Sequence, residues 1–264
     1  MSKVLALIQA RVNSRRLPRK SLAIIGARAS VFHVWKRARE VTDNAYVVVP
    51  ADDTGDFEAV LPRGVVLAGR ECADENDVLT RLWSVSEQFK GFTIVRLTGD
   101  CPFVDPEGIR AVVQAVEGGA DYADLTPIPN GLDAEALTYD LLKRAHAEAT
   151  DPYDREHVTP FMQRESELSF HCDMFAQLPR YRWTLDDMSD LTWFREVARE
   201  IDCTPPHPTV PEMLALLERR PDLVRYDGPV AQSAEHLTRN EERVGSIPTG
   251  TFGADTSFDF MQHL

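Results

Sequence analysis

Five cations, Arg11, Arg15, Arg16, Arg19 and Lys20, fall within ten residues just after a short apolar run, Val4–Ile8. Guanidinium groups fork onto phosphate oxygens and a lysine ammonium supplies a compact charge, so this spacing suits a polyphosphate. The cluster is a local exception, because the chain as a whole is acidic, with a formal net charge of −13. A second chemical position is Asp100, just past the run Thr93–Thr98. There Gly99 lets the backbone turn and Pro102 fixes the exit. A carboxylate facing a cationic loop is placed to hold Mg2+ beside a triphosphate. The competing role is a helix cap, but Asp105, directly before Pro106, fills that role better and frees Asp100.

These residues need elements to position them. Val4–Ile8, Ala45–Val49, Val65–Leu67 and Thr93–Thr98 read as buried strands. Between them, Ser30–Glu40 (with Ser30 as its cap), Asp52–Val60, Asn76–Phe89 and Pro106 to about Glu117 carry helical spacing. Such alternation predicts an α/β fold, a doubly wound, mostly parallel sheet. Open sheets of this kind take ligands at the carboxyl ends of their strands, where the cationic loop and Asp100 stand. Beyond them, Leu125–Asn130 reads as a proline-rich loop. A short strand opens near Gly131–Glu135, and a helix spans Thr138–Ala149. Leu168–Phe175 and Tyr181–Leu185 read as late strands. Ser189–Glu200, capped by Ser189 with Asp190 in its first turn, and Thr209–Arg219 read as late helices.

The composition, 43% hydrophobic and 27% charged over 264 residues, is that of a globular protein with room for one large α/β domain or one domain with an appendage. Its acidity argues against general binding to nucleic acid or anionic membrane, which both need a positive field. No apolar run of about 18 residues is present and Met1–Val4 does not open a signal peptide, so a cytoplasmic protein is expected. Cys72, Cys101, Cys172 and Cys203 form no Cys-x-x-Cys pair, which suits reduced structural thiols.

Arg11, Ser14, Arg16, Leu17, Pro18, Lys20 and Leu22 form Arg-x-x-Ser-x-Arg-Leu-Pro-x-Lys-x-Leu. This resembles the signature loop of the sugar-acid cytidylyltransferases, the family of the CMP-sialic acid and CMP-Kdo synthetases. Four further blocks resemble the same family in the same order. They are Asp-Val-Leu-x-Arg at Asp77–Arg81, Arg96–Pro106, Gly131–Glu135 with Arg155–Pro160, and Arg182–Asp190. The third points to the branch named after the spore-coat polysaccharide protein SpsF. Two departures stand out. Arg19 occupies the family's glycine position, where a positive φ would strain it. Met188 and Ser189 replace a proline and a glutamate.

The resemblance implies a Rossmann-like, GT-A-like nucleotidyltransferase over 1–227, with a sugar-binding and dimerisation segment at about 125–175, and a homodimer. It implies CTP and an acidic sugar as substrates and Mg2+ as cofactor, for surface polysaccharide synthesis. A sugar hydroxyl attacks the α-phosphate of CTP, and pyrophosphate leaves. Arg11, Lys20 and Asp100 are the implied catalytic residues. Ala10, Arg11, Ser14, Arg16, Lys20, Asp77 and Thr98 are the implied nucleotide-binding ones, although Asp77 and Arg81 serve equally well to cap and support a helix. Asp133, Glu135, Arg155 and His157 are the implied sugar ligands; charged first-turn residues of a helix are the alternative. Asp186 matches a second metal carboxylate beside Asp100, whereas Asp190 reads as structural. A nucleotidyltransferase for another acceptor, such as a phosphonate, is the rival enzyme; a nucleotide-binding homologue without turnover is the rival from another class. Gly228–Leu264 lacks an amphipathic period and resembles a translated bacterial tRNA gene, so a flexible, dispensable tail is expected.

Overall fold

The computed structural model describes residues 3–69, 74–201 and 208–227. These belong to one compact unit, Met1–Asp227. The expectations for Cys72, Cys203 and the tail 228–264 lie outside the described residues.

Strand β1 (Val4–Gln9) leads into the cationic loop and a small hairpin, β2 (Ile24–Ile25) and β3 (Arg28–Ala29). Helix α1 (Ser30–Ala38) follows. Ser30 is not its cap. Ala29 holds that position without a side-chain bond, and Ser30 Oγ instead donates to the Gly99 carbonyl at 3.1 Å. The chain continues through β4 (Ala45–Val49), α2 (Thr54–Glu58), β5 (Val66–Ala68), α3 (Val78–Ser86) and β6 (Thr93–Thr98). Helix α4 (Pro106–Glu117) starts as expected, with proline in its first turn and the Asp105 side chain accepting from the Glu107 amide at 2.8 Å.

Strands β7 (Tyr122–Leu125) and β8 (Glu135–Thr138) come next, then α5 (Tyr139–Glu148), α6 (Pro152–His157), α7 (Thr159–Glu165) and β9 (Ser169–Cys172). Helices α8 (Met188–Glu200) and α9 (Val210–Arg219) close the unit. The segment read as a strand at Tyr181–Leu185 is not one. It makes only isolated bridges, Tyr181 with Tyr226 and Arg182 with Asn130. Ser189 is not the cap of α8 either. Asp187 caps it and Asp190 completes a reciprocal capping box, because a carboxylate three residues before another acid satisfies two amides that the serine would leave open.

The seven strands run β5-β4-β1-β6-β8-β7-β9. Pairings are parallel except those of β8, which runs against β6 and β7. Alternate residues of β1 serve opposite faces. Ala6 and Ile8 join one core with Val31 and Val34 of α1, Ile109 of α4 and Phe194 of α8. Leu5 and Leu7 join the other with Leu79 and Leu82 of α3, Leu142 of α5 and Met162 of α7. Helices on both faces make the sheet doubly wound, as expected. Its carboxyl edge gathers the ends of β1 and β6.

Candidate active site

The loop after β1 folds back on itself before it meets any ligand. The Arg19 amide donates to the Val12 carbonyl at 3.0 Å, the Lys20 amide to Leu17 at 3.2 Å, and Leu17 is buried beneath. The Val12 amide donates to Asp53 Oδ2 at 2.8 Å, fixing the loop to the turn before α2. Arg19 adopts φ 62° and ψ 26°, the left-handed conformation in which a glycine would be unstrained. Its side chain forks onto Asp56 at 2.7 and 3.3 Å.

Gly99 brings the end of β6 against this loop. A Cβ there would lie 3.1 Å from Ala10 Cβ and 3.2 Å from Ser21 Oγ, so a larger residue would push the two segments apart. Gly131 does the same for the segment carrying Asp186. It has φ 106°, and a Cβ would meet the Trp183 carbonyl oxygen at 2.2 Å. The Trp183 amide donates to the Asn130 carbonyl at 2.7 Å, and the Leu185 amide to the Asp100 carbonyl at 2.8 Å. The two carboxylate loops are thereby joined by backbone.

At their meeting point Lys20 Nζ donates to Asp100 Oδ2 at 2.5 Å and to Asp186 Oδ1 at 2.9 Å. Arg16 reaches the same Asp186 oxygen at 2.7 Å. Burial pulls the Lys20 ammonium toward neutrality, but the two carboxylates outweigh it and hold its pKa above the ordinary lysine value. Behind Asp186 lies a buried anchor. Asp190 is wholly shielded and accepts from Arg182 at 2.9 and 3.1 Å, from the Asp186 amide at 2.8 Å and from the Asp187 amide at 3.0 Å. Arg225 pairs with it at 2.9 Å. The structural reading of Asp190 therefore stands in the geometry.

A cleft of about 860 Å³ opens over this triangle. Ala10, Arg11, Ser14, Arg16, Lys20, Thr98, Asp100, His157 and Asp186 all line it. Residues from four separated sequence blocks thus share one wall. Asp77, Asp133, Glu135 and Arg155 do not. Asp77 caps α3, accepting from the Thr80 amide at 3.0 Å, and Arg155 clasps it at 2.9 and 3.0 Å. Arg155 is also tied to Thr80 Oγ1 at 2.5 Å and to the Ala149 carbonyl at 2.8 Å, so it braces α6 against α3. Glu135 holds Arg96 on one oxygen and accepts from the Tyr122 hydroxyl at 2.7 Å on the other. Arg96 in turn donates to Gln9 Oε1 at 3.0 Å, and Gln9 lines the cleft. Asp133 is exposed but sits in a hollow of the surface, where crowding by protein atoms lifts its carboxyl above the usual range despite the Gly131 amide at 2.9 Å.

Sequence reasoning overlooked several lining residues. Arg11 donates to Asn76 at 2.9 Å and lies 3.8 Å from Glu156, while Asn13 donates to Glu75 at 3.1 Å. These contacts tie the loop after β1 to the approach to α3 and to α6. Glu156 stood inside the Arg155–Pro160 block, and Glu75 and Asn76 directly precede Asp77, so the signal was adjacency to a matched block.

A family model described as cytidylyltransferase matches residues 5–208. The chain is 29% identical over 236 residues to the spore coat polysaccharide biosynthesis protein SpsF of Bacillus subtilis, covering 84% of this chain and 97% of that protein. It is 36% identical over 135 residues to the 3-deoxy-manno-octulosonate cytidylyltransferase of Rhizobium johnstonii, covering 50% of this chain and 53% of that one. Its fold resembles the solved structure of a cytidylyltransferase from Leptospira borgpetersenii, with a TM-score of 0.76 at 22% identity over 88% of this chain and 100% of that one.

Proposed function

Because the chain belongs to the cytidylyltransferase family, we propose that its cleft transfers CMP from CTP to a hydroxyl of an acidic sugar and releases pyrophosphate, in surface polysaccharide synthesis. The acceptor class is supported by the relatives named for 3-deoxy-manno-octulosonate transfer and for spore-coat polysaccharide. The observation that carries the reading is the meeting of Lys20 with Asp100 and Asp186, residues 80 and 166 positions away.

Arg11, Arg16 and Lys20 draw the triphosphate into the cleft and neutralise charge on the departing pyrophosphate. Ala10, Ser14 and Thr98 line the nucleotide's bed. Asp77 acts one step back, by fixing the start of α3 and, through Arg155, the position of α6. His157, at the end of α6, faces the cleft on the acceptor's side. Glu135 acts through Arg96 and Gln9, while the exposed carboxylate of Asp133 is available to sugar hydroxyls. Mg2+ is the proposed cofactor. Two hard carboxylate oxygens within reach of one small cation suit it, since it is usually held by one or two carboxylates together with substrate phosphates. Among the described residues no group of three or more side chains could hold a metal by itself, which fits a site completed by substrate. When bound to Asp100 and Asp186, the ion supplies charge stabilisation at the phosphates.

The unit that does this is 1–227. No described helix is long and apolar enough to cross a membrane, and we place the protein in the cytoplasm, where CTP is found. A homodimer is supported by β9, an edge strand beside exposed Leu168, Phe170 and Met174, which leave apolar surface at 57%, 44% and 37% exposure. Light scattering at micromolar concentration tests this; a stable monomer refutes it.

The decisive test of the reaction is Asp100→Asn. The amide keeps the shape and loses the charge. Pyrophosphate release from CTP, screened against acidic sugars, should vanish while the melting temperature stays near that of the wild type. Full activity in the variant would refute the role given to Asp100.

A further inference from the structure

Lys20 is proposed to meet the phosphates, yet its ammonium is already engaged by both carboxylates assigned to the cation. At 2.5 Å from Asp100 Oδ2 and 2.9 Å from Asp186 Oδ1, the ammonium would have to share the same two oxygens with any second ion. A divalent ion bound at ~2.1 Å would lie within a few ångströms of the ammonium, and two like charges that close repel strongly where solvent is scarce. The Lys20 side chain is only 18% exposed, so water screens that repulsion poorly.

We propose that Lys20 is a built-in counter-cation that guards the Asp100–Asp186 pair and yields it to a divalent ion only when a nucleotide triphosphate draws the ammonium away. The inference rests on the nucleotidyl-transfer reading and adds an order of loading to it.

The surroundings allow that movement. The Lys20 backbone is fixed on both sides, its amide to Leu17 at 3.2 Å and its carbonyl to the Ala23 amide at 3.0 Å, so the flexible side chain swings alone. The cleft beside it holds Arg11, Ser14 and Arg16, the groups that would keep phosphate oxygens within its reach. Arg16 shares Asp186 Oδ1 and is 64% exposed at its side chain, so it leaves with little loss of packing. Arg182 behaves differently. It lies 3.5 Å from Asp186 but is clasped by the buried Asp190 at 2.9 Å, so it stays and keeps Asp186 partly compensated. Phosphate thus removes two cations from the pair and leaves one. Binding of the nucleotide and of the divalent ion then become positively coupled, and by linkage each raises the affinity of the other by the same factor.

The test uses Mn2+ alone as the probe, titrated against the whole protein and read as free ion by electron paramagnetic resonance. Lys20→Met keeps the length of the side chain and removes its charge. It should bind Mn2+ at least about tenfold more tightly than the wild type in the absence of nucleotide, and Asp100→Asn introduced into that variant should abolish the gain. Lys20→Gln, a polar substitute, should show the same direction if the methionine variant fails to fold. Equal affinity in the wild type and the folded Lys20 variant, or tighter binding by the wild type, overturns the guard. That result leaves the transfer reading standing, since pyrophosphate release by the wild type tests it separately. Conversely, the gain in Mn2+ affinity in the Lys20 variant, with no pyrophosphate release by the wild type, would uphold the guard and overturn the transfer.

Discussion

Asp190→Asn changes one atom type at a residue that no substrate touches, and it should damage both the fold and the site. The carboxylate has no solvent exposure and faces two guanidinium groups, those of Arg182 and Arg225, both at 2.9 Å. It also accepts the amides of Asp186 and Asp187. An asparagine turned so that its oxygen meets the amides presents its NH2 to the two guanidinium groups, donor against donor. Turned the other way, it strands the amides. Either orientation leaves two cations short of their counter-charge. Removing one partner of a buried ion pair costs ~3–5 kcal/mol, and the partial exposure of both arginines places this case near ~3 kcal/mol. For a domain of this size that is a fall of roughly 6–12 °C in melting temperature. The Asp186 carboxylate should shift with its own amide, and a displacement of about 1 Å at a reacting centre can cost ~100-fold in turnover. Differential scanning calorimetry and pyrophosphate release read the two effects. A melting temperature within 2 °C of the wild type (roughly the effect of an exposed substitution), together with full turnover, would refute the claim that Asp190 holds Asp186 in place.

Arg19→Gly should raise the melting temperature by about 1–3 °C, because it relieves a left-handed residue and loses only an exposed ion pair; a fall in calorimetry would mean that the pair with Asp56 or the backbone entropy dominates. For Asp77, burial pushes the carboxyl up, but the Thr80 amide and the Arg155 guanidinium outweigh it and hold the pKa below 3.8. A carboxylate depressed on folding contributes stability above its unfolded pKa and loses it as pH falls through the folded one. The gap in melting temperature between the wild type and Asp77→Asn should therefore be full at neutral pH and close as the pH drops below 3.8; a gap unchanged by acid counts against the ionic clasp. Ending the chain after Asp227 should leave melting temperature and turnover unchanged, and a loss of several degrees would assign residues 228–264 to the fold.

Local signals in this sequence carried far. The apolar runs placed β1, β4 and β6, and Asp105-Pro106 marked the start of α4, because a cap and a first-turn proline are read from neighbouring residues alone. The capping box at Asp187 and Asp190 was written in the same way but hidden behind a more familiar cap residue, Ser189. Long-range choices were not legible. Arg155 is paired with a carboxylate 78 positions away and Glu135 with an arginine 39 positions away, and nothing in either local stretch tells whether such a charge meets substrate or protein. The reversed direction of β8 has the same origin: it is decided by which strand edge is free when the chain returns.

The wide spacing of Lys20, Asp100 and Asp186 also bears on synthesis. The cationic loop leaves the ribosome before either carboxylate, and its strand β1 takes an interior place in the sheet between β4 and β6. Asp100 follows Lys20 by 80 residues and Asp186 by 166. Parallel pairings across such separations close late, since each requires a long loop to lose its freedom before contacts compensate. A nascent chain that has not yet reached residue 186 carries Arg16 and Lys20 without the Asp186 oxygen that they share. The stabilisation that CTP gives through the complete site, carboxylates included, therefore belongs to the finished unit.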